Sequence, residues 1–163
     1  MTEFVEIPFL PIYTLCIDGE RMGTLYGRLY CGYKPEGLVF KDIHQLVLIL
    51  DEIMDFIKCP QSGTNSRRYG KDKFIFEYDR SEQREALMSM HKFDNDINRG
   101  EKATFILQVK FRQNASWQGT VKWVEKKETL HFRSALEFIK ILDSAREEGL
   151  QVHVEGLGKK EIV

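Results

Sequence analysis

The chain has 163 residues, of which 42% are hydrophobic and 30% are charged, and its formal net charge is −1. This composition is typical of a globular protein with a core of ordinary size, and it differs from that of a disordered tail. The N-terminus lacks the basic segment and long apolar run of a signal peptide, and the longest apolar run, residues 46–50, is too short to span a membrane. We therefore expect a cytoplasmic protein that does not enter a membrane.

Residues 1–57 are predicted to form a first unit of three strands and one helix. Apolar and polar residues alternate in three short stretches, which is the pattern of half-buried strands. Asp42 is a suitable N-cap for a helix over residues 43–57, and the apolar run within it predicts burial on more than one side. The predicted inward strand positions are Tyr13, Leu15, Ile17, Leu29, Cys31, Leu38 and Phe40.

Residues 58–102 are predicted to be a connecting insert with one strand and a short helix. The strand is expected at residues 74–78, where aromatic residues alternate, and the helix at residues 81–91.

The insert also contains a basic loop. Arg67, Arg68 and Lys71 lie in a stretch rich in Ser, Gly and Asn, which is typical of an exposed loop. These side chains could contact an anion. Their spacing is not that of a phosphate-binding P-loop, so the alternative is a solvated loop without a ligand.

Residues 103–163 are predicted to form a second unit with the same organisation. Short connections between its first three strands indicate an antiparallel meander. Ser134 and Glu137 have the spacing of a capping box at the start of a helix that ends near Gly149. Strands are predicted at residues 104–111, 120–125, 129–133 and 151–155.

The two units repeat the same pattern at an offset of 92 residues, without a gap. Residues 12–53 align with residues 104–145, with nine identities in 42 positions. The inward positions keep their register across the repeat, and a slip of one residue would turn every strand inside out. The predicted inward positions of the second unit are Phe105, Leu107, Val109, Val121, Trp123, Leu130 and Phe132. We therefore predict an α+β fold of two tandem βββα(β) units, each an antiparallel meander plus a helix, related by pseudo-two-fold symmetry. The units could pack helix to helix or join their sheets edge to edge, and the apolar helix over residues 43–57 favours packing of the helices.

Two motifs of the second unit resemble a known pattern. The sequence RQNASWQG at residues 112–119, followed by FRSALE at residues 132–137, resembles a motif pair in short, uncharacterised bacterial proteins that contain little more than this unit. The resemblance covers residues 104–146 and implies a fold unit without an established activity. The first unit departs from the motif at Arg21 and Met22, which replace Gln113 and Asn114.

A polar turn in the second unit is the first candidate site. It offers amide groups, a hydroxyl and a large aromatic ring that could bind a peptide edge or stack on a base. The structural alternative is that Asn114 and Ser116 shape the turn while Trp117 covers the end of the core. The candidate partner-binding residues are Gln113, Asn114, Ser116, Trp117 and Gln118.

The outward face of the second sheet is the second candidate site. Its cationic and hydrogen-bonding side chains could hold phosphates. A solvated sheet face has the same composition, and no aromatic residues interleave with these side chains as binding of a single strand would require. The predicted face consists of Gln108, Lys110, Arg112, Lys122, His131 and Arg133.

No pattern of catalytic residues or metal ligands is present in the sequence. The four histidines form neither HxH nor HExxH, no GxSxG occurs, and Cys16, Cys31 and Cys59 form no CxxC pair. We expect no catalytic residue, no metal and no cofactor, although residues distant in sequence could still assemble an active site.

The leading hypothesis is a non-catalytic binding or regulatory protein that recognises a macromolecule through the second unit. A protein partner is favoured over nucleic acid because the net charge is close to zero. The alternative is a small-ligand-binding protein or an enzyme with a pocket between the two units. We expect either a monomer with pseudo-dimeric packing or a homodimer.

Overall fold

A computed structural model of the protein describes residues 10–32, 34–75, 79–90 and 98–150. Residues 76–78 of one predicted strand and all of the predicted strand at residues 151–155 lie outside this part of the chain. The predicted insert helix begins with one turn of 3₁₀ helix, Arg80–Glu82, and continues as α2. The elements are β1 (Tyr13–Arg21), β2 (Thr24–Cys31), β3 (Lys34–Phe40), α1 (Ile43–Ile57), α2 (Gln83–Ser89), β4 (Ala103–Phe111), β5 (Gln118–Trp123), β6 (Glu128–Phe132) and α3 (Ala135–Glu147).

The six strands form one antiparallel sheet in the order β3-β2-β1-β4-β5-β6. This confirms the α+β class with an antiparallel sheet. The central strands β1 and β4 pair directly, with Tyr13 opposite Leu107 and Leu15 opposite Phe105. The two halves of the chain are therefore joined edge to edge through the sheet, rather than by the packing of helices that the apolar α1 favoured.

The two hairpins share their irregularities at the offset of 92 residues. The register shifts between Ile17 and Gly19 in the first hairpin and between Val109 and Phe111 in the second. These shifts are β-bulges, each of which places one extra residue in the first strand of its hairpin.

Two glycines show how closely the hairpin strands approach. Gly27 pairs with Phe40, and Gly119 pairs with Phe132. A Cβ atom at Gly27 would lie 1.9 Å from the Cys16 carbonyl oxygen, and one at Gly119 would lie 2.2 Å from the corresponding oxygen of the neighbouring strand. Both distances are too short for any side chain, so each hairpin requires glycine at this position.

The helices begin where the sequence predicts. The Asp42 carboxylate accepts a hydrogen bond of 2.7 Å from the Gln45 backbone N–H at the start of α1. The Ser134 hydroxyl accepts one of 3.0 Å from the Glu137 backbone N–H at the start of α3. Gly149 follows α3 with a φ of +80°, the left-handed conformation expected of a glycine after a helix.

A single hydrophobic core includes residues from both halves of the chain and from the insert. Leu15 and Leu107 of the central strands, Leu50 of α1 and Phe138 of α3 are fully buried in it. The helix α2 packs on α1 and contributes Ala86 to the same core. Among the described residues, no helix is long and apolar enough to cross a membrane.

Candidate functional site

The polar turn of the second unit uses most of its polar groups within the fold. The Gln118 side chain accepts a hydrogen bond from the Gln113 N–H and donates one to the Gln113 carbonyl oxygen, both at 3.0 Å. The Ser116 hydroxyl accepts a hydrogen bond of 2.9 Å from the N–H of Ala135, the first residue of α3. Asn114 has a φ of +56° within the tight turn between the strands. These contacts hold the hairpin against the start of the helix.

Trp117 is a core residue. Only 5% of its surface is exposed, and its ring centroid lies 6.2 Å from that of Phe138. Its side chain also lowers the pKa of the Asp51 carboxyl group. The ring of Trp117 is therefore not available to a partner, which corrects its assignment to a binding loop. Of the five predicted residues, only Gln113 and Asn114 have exposed side chains. The tertiary position of the turn agrees with its structural interpretation.

Two residues of the predicted basic sheet face are buried. The bulge at the end of β4 shifts the alternation by one residue, so that Phe111 is 53% exposed while Arg112 is 5% exposed. Gln108 is fully buried, and its side-chain amide donates a hydrogen bond of 3.4 Å to the Leu10 carbonyl oxygen. Both assignments to an exposed face are therefore corrected.

The other four residues of that face remain accessible to different degrees. Lys110 and Lys122 are half-buried, whereas His131 and Arg133 are exposed. The guanidinium of Arg133 lies 3.3 Å from the carboxylate of Glu137, one turn later in the chain. The accessible part of the face thus carries four cationic or titratable groups, one of which already has an acidic neighbour.

Arg112 is the buried centre of an ionic cluster that sequence reasoning missed. Its Nε donates a hydrogen bond of 2.7 Å to the Pro60 carbonyl oxygen. Its Nη1 lies 2.6 Å from the Asp55 carboxylate and 3.5 Å from that of Asp51. Burial, followed by the charge of Asp55, raises the pKa of Asp51, while Arg112 and Trp117 act in the opposite direction. The cluster ties α1 and the start of the insert to the end of β4.

A second ionic cluster lies at the end of β1, with the charges reversed. Glu20, which precedes Arg112 by 92 residues, accepts a hydrogen bond of 3.1 Å from the Arg146 guanidinium of α3. The same guanidinium contacts Asp143 at 2.9 Å. Each central strand therefore binds the helix of the other half, one through a cation and the other through an anion.

A groove between β6 and α3, here called the β6–α3 groove, is an apolar surface feature of the second unit. Its volume is about 80 Å³. Leu130 lies at its outer wall in β6, an edge strand of the sheet, and is 50% exposed. The sequence predicted this residue as part of the core, since alternation alone does not reveal that the neighbouring position is uncovered. The apolar lining consists of Phe105, Val121, Trp123, Leu130, Ile141 and Ala145.

Charged side chains border the same groove. Lys126 places its Nζ 4.2 Å from the centre of the Trp123 ring and 2.6 Å from the Glu148 carboxylate. Glu128 lines the groove from the β6 side and is exposed. The groove therefore has an apolar floor and a rim with more acidic than basic groups.

The basic loop of the insert is exposed. Arg67, Arg68 and Lys71 all lie at the surface, and Tyr69 between them is completely exposed. The sequence identified the three cations as candidates, whereas the exposure of Tyr69 is known only from the tertiary structure.

The described residues contain no group of three or more His, Cys, Asp or Glu side chains positioned to hold a metal ion. Burial raises the pKa of the Cys16 thiol to about 11 and also raises that of Cys59. Both thiols therefore resist ionisation at neutral pH, which makes them poor nucleophiles.

The chain matches no protein-family model, no curated protein and no solved structure. Its function is therefore inferred from the surfaces described above.

Proposed function

We propose that the protein is a non-catalytic binding protein that recognises a protein partner through its second unit, and that the partner inserts an apolar side chain into the β6–α3 groove. The observation that carries this proposal is the difference between the two halves of the chain. In the first half a helix packs over the ends of α1 and β2, whereas the corresponding positions of the second half border a groove that no described element covers.

The cover in the first half is α2. The Gln83 side chain donates a hydrogen bond to the Phe56 carbonyl oxygen in the last turn of α1. At the end of β2, a Cβ atom on Gly32 would lie 2.3 Å from the Ser89 carbonyl oxygen, so α2 lies directly against this strand end. Ala86, which faces the core between these contacts, is 1% exposed.

The corresponding positions of the second half border the β6–α3 groove. Glu148 follows Phe56 by 92 residues and lines the groove, and Trp123 precedes the counterpart of Gly32. Leu130 is the counterpart of Leu38, which is packed against the core and less exposed. Because the chain covers this surface with its own helix in the first half, we infer that a partner covers it in the second.

The size of the groove favours a side chain over a whole small molecule. Its volume of about 80 Å³ is far below the roughly 300–1,000 Å³ of small-molecule sites. Removing the exposed half of Leu130 from water would contribute about 1 kcal/mol to the free energy of binding. The acidic rim favours a partner that carries basic residues beside its apolar side chain. The alternative of a ligand pocket between the two units has less support, since β1 and β4 pair directly there.

We also infer that the two halves arose by duplication of one unit and are related by pseudo-two-fold symmetry. The central pairing places Thr14 opposite Ile106, and these residues are 92 positions apart. The pairs on either side are counterparts of each other, as expected for two copies related by a two-fold axis through this point. The shared bulges, glycines and helix caps support the same inference.

A photo-crosslinking experiment tests the proposed function. The photoreactive residue p-benzoylphenylalanine replaces Leu130 in one variant and Leu136 in the control. Leu136 lies on α3 outside the groove lining and is 59% exposed, close to the 50% of Leu130. We expect a discrete protein adduct in cells from position 130 alone. Equal adducts from both positions, or none from position 130 in a variant with wild-type stability, would contradict the proposal.

A further inference from the structure

We infer that residues 63–75, here called the basic finger, form a binding site for single-stranded nucleic acid. This inference is independent of the proposed protein partner, because the finger belongs to the insert and lies outside the β6–α3 groove. The finger has four cationic side chains and one anionic side chain, a formal charge of +3. Every residue from 63 to 75 is exposed.

Both ends of the finger are attached to the folded core. At its start, the Gly63 N–H donates a hydrogen bond of 3.4 Å to the carbonyl oxygen of the buried Arg112, beside a β-bridge between Ser62 and Arg112. At its end, the Ile75 N–H donates one of 2.7 Å to the Glu52 carboxylate on α1. The loop between these anchors therefore projects from a defined base.

A contact within the finger defines its tip. The Arg68 guanidinium donates a hydrogen bond of 3.4 Å to the Lys73 carbonyl oxygen, which draws the two sides together. Gly70 has a φ of +75° in the turn between them. Residues 69–72 thus form the tip, where Tyr69 is 102% exposed, and Phe74 on the returning side is 72% exposed.

This arrangement fits a single-stranded nucleic acid. Proteins that bind single strands combine cationic groups along the backbone with aromatic rings on which bases stack. The finger presents both within eight residues. Unpaired bases can reach Tyr69 and Phe74, while the bases of a duplex are already stacked on each other.

The position of the apolar residues favours nucleic acid over an anionic membrane. The apolar pair Phe74 and Ile75 lies at the anchored base of the finger, next to the contact with Glu52. The tip instead carries Lys71 and Asp72 beside Tyr69. A loop that inserts into a membrane would carry its apolar residues at the tip.

The charge of the finger predicts how binding depends on salt. Four cations that each neutralise one phosphate give a slope of about −2.8 in a plot of log K against log salt for a single strand. Affinity should therefore fall roughly 20-fold between about 50 and 150 mM salt. A salt dependence of this size distinguishes phosphate binding from apolar association.

The experiment is fluorescence anisotropy with the full chain and fluorescein-labelled oligo(U) and oligo(dT) of about 12 nucleotides. We expect Tyr69→Ala to weaken binding roughly tenfold and Tyr69→Phe to retain it, because phenylalanine keeps the stacking face. The double variant Arg67→Ala/Lys71→Ala should reduce the salt slope by about 1.4. The matched control, Lys110→Ala/Lys122→Ala on the sheet face, should keep both affinity and slope.

Several results would overturn the inference. These are the absence of binding at about 50 mM salt, wild-type affinity of Tyr69→Ala, or a loss caused by the sheet-face control and not by the finger variants. A parallel measurement uses phosphatidylcholine vesicles that contain phosphatidylserine. Binding to these vesicles that depends on Tyr69, without binding to either oligonucleotide, would assign the finger to a membrane and reject nucleic acid. All of the substituted side chains lie outside the core, and equal urea midpoints would verify that each variant is folded.

Discussion

The substitution Arg112→Met is expected to lower the free energy of unfolding by about 3 kcal/mol. Arg112 is 5% exposed, and methionine would fill part of its volume without replacing its charge. The substitution leaves the Pro60 carbonyl oxygen without its donor and leaves the Asp51 and Asp55 carboxylates without their cation. The expected loss arises from these acceptors, not from a cavity.

The magnitude follows from the geometry of the three contacts. The bonds to Pro60 at 2.7 Å and to Asp55 at 2.6 Å are short, and a bond to a charged group contributes about 1.5–3 kcal/mol. We use the lower value of about 1.5 kcal/mol for each of these two bonds. The Asp55 side chain is 52% exposed, so water can replace the lost cation. The contact with Asp51 at 3.5 Å adds little. About 3 kcal/mol corresponds to a fall in Tm of roughly 6–12 °C.

Urea unfolding monitored by tryptophan fluorescence measures this loss, since Trp117 lies beside the cluster. Arg133→Met is the matched control, because the Arg133 side chain is 88% exposed and pairs only at 3.3 Å with Glu137. Its cost should stay within about 0.5 kcal/mol. Equal costs for the two substitutions would refute the assignment of Arg112 to a buried structural role.

Two further predictions concern pH and backbone packing. Burial and the charge of Asp55 raise the pKa of Asp51 in the folded protein. Ionised Asp51 therefore lowers the free energy of unfolding at a pH above this folded pKa. The loss of stability disappears as the pH falls below the pKa of aspartate in the unfolded chain, about 4. Asp51→Asn should therefore be no less stable than wild type at pH 7 and should flatten the pH dependence of the urea midpoint; a clear loss at pH 7 would contradict this. Gly27→Ala and Gly119→Ala should each cost at least about 1–3 kcal/mol in urea unfolding, because the added Cβ would meet a backbone oxygen. Gly63→Ala, with no atom within 4 Å of its Cβ, should be close to neutral, and similar midpoints for all three variants would contradict the prediction for Gly27 and Gly119.

The parts of the fold that follow local rules were predictable from the sequence. The helix over residues 43–57 was predicted with its observed bounds, because an N-cap aspartate and a continuous apolar run mark it. The inward register of β1, β2, β4 and β5 was also predictable, because side chains alternate strictly along a strand. That alternation failed at Arg112, where a bulge shifts the register by one residue and no residue type in β4 indicates it.

The candidate surfaces depended on contacts between residues distant in the chain. The sequence left open whether Trp117 binds a partner or covers the end of the core, and the structure places it against Phe138 in the core. Leu130 looked like a core residue, but it lies on an edge strand that no described element covers beyond the groove. Burial depends on what packs against a position, and a single stretch of sequence does not contain that information.

The sequence by itself determined the βββα order of each half, the helix caps and the offset of 92 residues, since these depend on periodicity and on neighbouring residues. Only the tertiary structure decided that the halves join through β1 and β4 and that Arg112 is buried. It also decided that α2 packs over the ends of α1 and β2, while no described element covers the corresponding groove in the second half. These features result from pairing and packing over long distances in the chain, where several arrangements satisfy the same local pattern. The difference between these two surfaces therefore depends on the packing of the insert, which the local pattern of each half does not specify.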